Sequence, residues 1–300
     1  MTRRLRVATR GSTLARTQTA SVVDLLAPDT TVEMVVVKTE GDRRTDTDIW
    51  QIGGQGVFVK EVEAAVLDGR ADFAVHSAKD LPSALAPGLT IAAVPRRADP
   101  RDALVGSTLA ALPTGGRVGT GSVRRRAQLS WFRPDLTFGG LRGNIETRLA
   151  RRDGFSAIVV AAAALERLGL LAAATELLDP TLIVPQVGQG ALAVECRTDD
   201  DELRDRLGRI ADPASARAVS AERAFLAEVG GGCDVPLGAH ATVDAAGDVT
   251  LTGLLATLDG RIAMRATRTG PDPEEVGRTV ARHVLDDCGG SALVFELELQ

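Results

Sequence analysis

The chain alternates between segments patterned as buried β-strands and segments patterned as amphipathic helices. Residues 5–9 form a short apolar run that predicts a strand, and a helix is predicted from a cap at Ser12 to about Leu26. Residues 31–39 are rich in β-branched side chains and predict a second strand. Because strands that alternate with helices form parallel βαβ units, the sequence predicts an α/β fold.

One strand-to-helix turn occurs twice in this pattern. Residues 7–12 and 116–122 both run from a strand to a serine at which a helix is predicted to begin. The free N–H groups at a helix N-terminus attract anions, and adjacent arginines strengthen that attraction. Ligands of open α/β sheets bind beyond the carboxyl ends of the strands, where both turns fall. The sequence therefore predicts anion-binding turns at these strand ends.

The last third of the chain has a different pattern. A long helix is predicted to start at Pro213, and alternating runs at 249–255 and 261–268 predict antiparallel strands. Residues 273–287 predict a closing amphipathic helix, whereas a strand at 191–197 is predicted to return to the first domain. The predicted domains are residues 1–98 with 190–210, residues 99–189, and residues 211–300.

Charge and composition exclude several classes of partner. The 300 residues carry a net charge of −5 and 3% aromatic residues, which argues against a nucleic-acid surface. No segment approaches the roughly 20 apolar residues of a membrane span, and the N-terminus lacks the apolar run of a signal peptide. Three widely spaced cysteines without metal-ligand spacing predict a reduced, cytoplasmic protein with no structural metal.

Arginines collect at the predicted carboxyl ends of strands. They are Arg10, then Arg124 and Arg125, then Arg142 and Arg148. A guanidinium is planar and permanently charged, so it suits bidentate carboxylate binding. A single arginine is more often a solvated surface charge, but a set repeated at one topological position favours a site for a small anion.

Asp80 follows a predicted strand and lies beside Lys79, in a turn closed by Pro82. Two interpretations stay open from these residues alone. Asp80 is either an ordinary helix cap or a carboxylate that acts against positive charge in a substrate. His76, at the end of the same strand, favours a structural role over that of a catalytic base.

A single cysteine, Cys233, lies in a loop of three glycines closed by Pro236. Glycine permits close approaches that side chains forbid, so this loop is suited to presenting a sulfur atom to a bulky group. The segment by itself favours the simpler interpretation, in which Cys233 is a small buried residue after a helix end.

Eight segments of the chain, in order, match motifs of a known family. They include His76-Ser77-x-Lys79-Asp80-x-Pro82 and Gly231-Gly232-Cys233-x-Val235-Pro236. The chain resembles the porphobilinogen deaminase (hydroxymethylbilane synthase) family over nearly its whole length. The matching segments are residues 8–15, 53–61, 74–82, 119–125, 141–149, 166–169, 187–190 and 231–238.

The resemblance implies an α/β fold of three domains. The first two are expected to be like type II periplasmic binding proteins, and the third to be a small α+β domain with an antiparallel sheet. It also implies a cytoplasmic, monomeric transferase of tetrapyrrole biosynthesis that binds neither nucleic acid nor membranes. Four porphobilinogen molecules are condensed head to tail with loss of ammonia, and hydrolysis releases hydroxymethylbilane.

The resemblance also implies a cofactor and a set of site residues. A dipyrromethane is expected on Cys233 through a thioether, and Asp80 is expected to hydrogen-bond pyrrole N–H groups and stabilise developing positive charge. Substrate and cofactor acetate and propionate groups would contact Arg10, Ser12, Ser77, Lys79, Thr120, Ser122, Arg124, Arg125, Arg142, Arg148, Arg167 and Gln189.

Some positions depart from the family pattern. In the glycine-rich tract at 41–56, which predicts a lid, Gln51 and Gln55 stand where the family often has lysine. Asp234 adds a negative charge beside Cys233, and Ala164 replaces a common glycine. The two glutamines put ion pairs between the lid and the substrate in doubt, but none of the departures changes a core catalytic position.

Two rival functions explain part of the pattern. A non-catalytic anion-binding module would use the same arginines, but it predicts an export signal and leaves Asp80 and the Cys233 loop unexplained. A transferase with a cysteine nucleophile would need a base near Cys233, and no partner can be assigned from the sequence.

Overall fold

The computed structural model describes residues 4–26, 30–39, 56, 59–230 and 235–298, with side chains up to residue 295. The chain divides into two compact units. Unit 1 comprises Met1–Ala98 and Gly190–Ala216, and unit 2 comprises Asp99–Gln189 and Arg217–Gln300.

The described residues form three sheets and the helices around them. The strands are β1 (Leu5–Arg10), β2 (Val32–Val37), β3 (Phe73–Ser77), β4 (Leu89–Ala93), β5 (Asp102–Val105), β6 (Arg117–Gly119), β7 (Thr137–Gly139), β8 (Ala157–Ala161), β9 (Glu176–Leu177), β10 (Leu192–Arg197), β11 (Leu237–Val243), β12 (Val249–Ala256) and β13 (Ala263–Gly270). The α-helices are α1 (Thr13–Leu26), α2 (Lys60–Leu67), α3 (Val123–Phe132), α4 (Ile145–Ala150), α5 (Ala162–Arg167), α6 (Asp201–Gly208), α7 (Pro213–Val229), α8 (Pro273–Arg282) and α9 (Gly290–Glu298).

Unit 1 is built on a five-stranded sheet in the order β2-β1-β3-β10-β4. Strands β1, β2 and β3 are parallel, and β10 lies antiparallel between β3 and β4. Strand β3 is buried along most of its length, with Phe73 fully buried, as a central strand requires. The predicted return of the chain to the first sheet at β10 is therefore confirmed.

Unit 2 contains the other two sheets. One has five strands in the order β7-β6-β8-β5-β9, with β6 parallel to both neighbours and β5 antiparallel to β8. The other is antiparallel, in the order β11-β12-β13. Phe225 of α7 and Val280 of α8 are fully buried in the core that covers this small sheet. Both helices present apolar side chains at helical spacing to that core.

The predicted fold class, α/β with a small antiparallel C-terminal sheet, is confirmed. The four-residue strand β5 and the helix α9 were not predicted, because such short segments carry little periodicity. The closing helix predicted over 273–287 is α-helical to Arg282 and continues as a π-helical turn over His283–Asp287. The predicted domain boundaries stay a prediction.

Candidate active site

In unit 1, the turn after β1 holds two of the predicted site residues. Arg10 is the last residue of β1, and α1 begins three residues later. The Ser12 hydroxyl accepts a hydrogen bond from the backbone N–H of Ala15 at 3.2 Å, so Ser12 caps α1 as predicted. This cap fixes the direction in which the chain leaves the strand and thereby fixes Arg10.

The second strand end of unit 1 carries Asp80. After β3 the chain forms a single 3₁₀ turn, Ala78–Asp80, whose first N–H donates to the carbonyl oxygen of Ala191 at 3.0 Å. An Oδ2 atom of Asp80 lies 4.0 Å from Nη1 of Arg10, with side chains 31% and 23% exposed. Two residues that are far apart in sequence thus meet as a partly exposed acidic and basic pair.

Ser77 and Lys79 flank this carboxylate. The Ser77 hydroxyl accepts a hydrogen bond from Nε2 of Gln18 in α1 at 2.9 Å. Lys79 is half-buried in the same 3₁₀ turn. The arrangement presents a carboxylate, a guanidinium and an ammonium group at the carboxyl ends of two parallel strands, where small polar ligands bind in this class of sheet.

A buried acidic cluster lies in the sheet that supports Asp80. His76 Nε2 is 3.3 Å from a carboxylate oxygen of Glu195, and both side chains are buried. Glu63 of α2 is also buried; burial, and then the charge of Glu195, raise its pKa. His76 is therefore part of the core of unit 1, in agreement with the structural role favoured from sequence.

In unit 2, the turn after β6 is a network of short-range hydrogen bonds. The Thr120 hydroxyl accepts from the Ser122 N–H at 3.2 Å, and the Ser122 hydroxyl accepts from the Arg125 N–H at 3.4 Å. Ser122 thereby caps α3, as the sequence predicts. The cap directs the first turn of α3, with its two arginines, into the interior.

Arg124 and Arg125 are buried around one carboxylate. An Oδ2 atom of Asp102 accepts from Nη2 of Arg124 at 2.8 Å, and its Oδ1 accepts from Nε and Nη2 of Arg125 at 3.0 and 2.8 Å. Burial alone would raise the pKa of Asp102, but the two guanidiniums outweigh it and hold the pKa well below its ordinary value. Gln189 donates a further hydrogen bond to Oδ1 at 2.8 Å.

Backbone carbonyl groups take up further donors of the two arginines. Arg124 donates to the carbonyl oxygen of Val184 at 2.7 Å, and Arg125 to that of Val159 at 3.1 Å. The sequence singled out the arginines but missed Asp102. One sequence signal could have indicated Asp102, because it is a carboxylate at the start of an apolar run. Two adjacent arginines, if buried, require an acidic partner of this kind.

Of the remaining predicted arginines, Arg142 is half-buried in the turn before α4, Arg148 lies on α4 and Arg167 on α5. Arg148 donates from Nε to the carbonyl oxygen of Gly143 at 2.8 Å, and Asn144 caps the same helix by accepting from Thr147 N–H at 2.8 Å. Arg167 ends α5, and burial lowers its pKa to about 10, so it keeps its charge at neutral pH. A partly desolvated cation of this kind attracts a carboxylate more strongly than a fully hydrated one.

Three predicted features lie wholly or largely outside the described residues. Cys233 and its neighbour Asp234 fall in the gap at 231–234, and the lid tract is described only at Gly56. Of the described cysteines, Cys196 is buried and Cys288 is exposed. Burial raises the pKa of the Cys196 thiol to about 11, so this thiol is a poor nucleophile.

Two negative findings apply to the described part of the chain. Its histidine, cysteine and acidic side chains form no group of three suited to holding a metal ion. Among the helices described there, none has the length and apolar character needed to cross a membrane.

Two family models together match most of the chain. "Porphobilinogen deaminase, dipyromethane cofactor binding domain" matches residues 5–205, and "Porphobilinogen deaminase, C-terminal domain" matches residues 216–286. A curated relative named porphobilinogen deaminase from Roseiflexus castenholzii is 50% identical, covering 97% of this chain and 98% of its own. One of the same name from Bacillus subtilis is 44% identical, covering 98% and 96%. Among solved structures, lipoprotein Tp32 from Treponema pallidum is 11% identical with a TM-score of 0.42, covering 69% and 89%.

Proposed function

Because the chain belongs to the porphobilinogen deaminase family, we propose that Asp80 is its catalytic residue and Cys233 the attachment point of its cofactor. The activity is that of a transferase. Four porphobilinogen molecules are condensed head to tail with loss of ammonia, and hydroxymethylbilane is released by hydrolysis. The observation that carries the residue assignment is the position of Asp80, a partly exposed carboxylate beside Arg10 at the carboxyl end of β3.

The side chains present fit a dipyrromethane, which carries acetate and propionate groups. Guanidinium groups at strand ends and helix ends supply donors of the right charge, and Arg167 is partly desolvated, which strengthens its attraction for a carboxylate. When bound, the dipyrromethane supplies the pyrrole carbon at which the product chain starts. The proposed carboxylate-binding set is Arg10, Arg124, Arg125, Arg142, Arg148 and Arg167, supported by Ser12, Ser77, Lys79, Thr120, Ser122 and Gln189.

Asp80 acts on the substrate's pyrrole ring. Each addition breaks the bond between the aminomethyl carbon and nitrogen, forms a carbon–carbon bond to the terminal ring, and sends the displaced ring hydrogen out with ammonia. As ammonia leaves, the substrate's pyrrole nitrogen becomes electron-poor. The Asp80 carboxylate accepts the N–H hydrogen bond and stabilises that positive charge, and the nearby Arg10 holds the carboxylate in place.

Arginine contacts position the substrate before this step. They bind carboxylates that keep their charge throughout the reaction, so they contribute equally to ground-state and transition-state binding. The rival interpretation, a non-catalytic anion-binding module, accounts for these arginines but not for a chain that matches an enzyme family over nearly its full length. We also propose that the protein is a cytoplasmic monomer without a nucleic-acid or membrane partner.

Intact-mass spectrometry tests the cofactor assignment. The purified protein is expected to exceed its sequence mass by one covalently bound dipyrromethane, and Cys233→Ser is expected to lack that mass. Cys288→Ser is the matched control, because it removes an exposed thiol elsewhere in the chain and is expected to keep the added mass. A protein of unmodified mass that still consumes porphobilinogen would contradict the proposal.

A further inference from the structure

Asp102 lies outside the sets of residues proposed above, yet it contacts three of them. As the first residue of β5, it is fully buried and shares its two carboxylate oxygens among Arg124, Arg125 and Gln189. One oxygen accepts a hydrogen bond from Arg124, and the other accepts from Arg125 and Gln189. The carboxylate therefore holds two neighbouring arginines in different directions.

The cluster holds a net positive charge inside unit 2. Two guanidinium side chains that are 4% and 7% exposed face a single carboxylate. The Nε atom of Arg124 is buried and has no hydrogen-bond partner among the described residues. Removing the carboxylate's charge would leave two like charges buried side by side, which is strongly unfavourable.

Arg124 connects this cluster to β11, the strand that follows the Cys233 loop. The carbonyl oxygen of Val184 accepts from Arg124 at 2.7 Å, and the next carbonyl, that of Pro185, accepts from Ala239 N–H of β11 at 3.1 Å. Gly238 lies so close that a Cβ built on it would be 2.8 Å from the Pro185 oxygen and 2.9 Å from the Val184 oxygen. A shift of Arg124 is therefore transmitted to β11.

We propose that Asp102 is a positioning residue for substrate and cofactor binding. Its buried carboxylate fixes the two arginines at the start of α3 and, through Arg124 and Val184, fixes the strand that leaves the cysteine loop. This inference rests on the proposed function, in which the arginines bind carboxylates and Cys233 carries the cofactor. Asp102 itself contacts neither substrate nor cofactor.

Asp102→Asn is the test, because it keeps the side chain's volume while removing its charge. The amide presents an N–H₂ group to one guanidinium, so at least one arginine loses its acceptor. The full-length variant is expected to carry the covalent group on a fraction of molecules at least about fivefold smaller than the wild type, by intact mass. In the loaded fraction, KM for porphobilinogen is expected to rise about tenfold with kcat changed less than about threefold, as loss of uniform binding predicts.

A higher KM with a nearly unchanged kcat distinguishes a positioning role of Asp102 from a purely electrostatic one. The variant removes one negative charge near an anionic ligand, so a purely electrostatic effect would lower KM. A KM that is unchanged or lower, together with full loading, would overturn the proposal. Asp135→Asn is the matched control: Asp135 holds Arg133 through the same kind of paired contact at 2.7 and 2.8 Å, but it is partly exposed. It is expected to keep wild-type loading and KM.

Gly238→Ala decides the question if Asp102→Asn fails to fold. This substitution leaves every charge in place but forces the carbonyls of Val184 and Pro185 apart from β11. It is expected to lower loading and raise KM in the same way, and wild-type values for both would sink the proposal. A wild-type protein without a covalent dipyrrole would instead contradict the proposed function, so the two failures are distinguishable.

Discussion

Asp80 and Asp102 show how differently two carboxylates of one chain are used. Asp80 is 31% exposed and lies 4.0 Å from the guanidinium of Arg10, so it remains accessible to a ligand's N–H groups. Asp102 is fully buried, and its two oxygens are taken up by three side chains. In the proposed function, exposure and hydrogen bonding, rather than residue type, suit one carboxylate to chemistry and the other to positioning.

Asp80→Asn is expected to keep the fold and the covalent cofactor but to lose most of the rate. The amide retains an acceptor oxygen but no longer carries the charge that stabilises the electron-poor pyrrole, and removing one such partner typically costs about 10²–10³ in kcat. Steady-state kinetics on the loaded enzyme measure the loss. Asp153→Asn, at a side chain 92% exposed, is the control. Near-normal turnover of Asp80→Asn would remove Asp80 from the mechanism.

The sequence predicted contacts between neighbouring residues of these sites better than contacts between residues far apart in the chain. The Ser122 cap depends on an N–H three residues away, a spacing that is visible in the sequence. The Asp102 contacts join residues 22, 23 and 87 positions apart. Only the sheet order β6-β8-β5 brings them together, and no local pattern encodes that order.

At the scale of elements, the turn into α4 determines where Arg148 lies. Gly143 has a φ of +107°, and a Cβ built on it would be 2.7 Å from the Thr147 side chain. Its carbonyl oxygen also accepts the hydrogen bond from Arg148. The Asn144 cap uses an N–H three residues away, but no sequence spacing reveals that the preceding glycine is required by both backbone strain and close packing.

Gly143→Ala is expected to destabilise the protein by about 1–3 kcal/mol, since the new side chain meets both a disfavoured backbone conformation and Thr147. Gly140→Ala is the matched control. It lies in the same segment with a backbone that is not left-handed and no atom within 4 Å of a built Cβ. Chemical denaturation measures both, and an equal effect of the two substitutions would show that the backbone conformation at Gly143 is not the cause.

At the scale of the whole molecule, the alternation of strands and helices predicted the fold class. It did not predict that the two five-stranded sheets combine parallel and antiparallel strands. Strand β10 is buried from Leu192 to Cys196 although it contains Glu195, and this burial fits a central strand of either direction. Its antiparallel insertion beside β3 places Glu195 opposite Ala74, two residues along β3 from His76. A buried acidic cluster in unit 1 is the result, and its cost depends on pH.

Glu63→Gln is expected to stabilise the protein increasingly as pH rises above 4.5 and through the raised pKa of Glu63. Burial, and then the charge of Glu195, raise the pKa of Glu63 above its ordinary 4.5, whereas His76 and Lys60 oppose the shift. A group whose pKa is higher in the folded protein adds stability below its unfolded pKa and loses it as pH rises through the folded value. Glutamine is neutral at every pH and escapes that loss.

The free energy of unfolding, measured by denaturant titration at several pH values, checks this expectation. Glu61→Gln is the control, because it removes one negative charge from the same helix. A Glu63→Gln gain that stays constant from pH 4 to 8 would contradict the raised pKa. A gain that grows with pH would show that helix α2, which packs against the sheet supporting Asp80, contains a carboxyl group whose ionisation destabilises the fold.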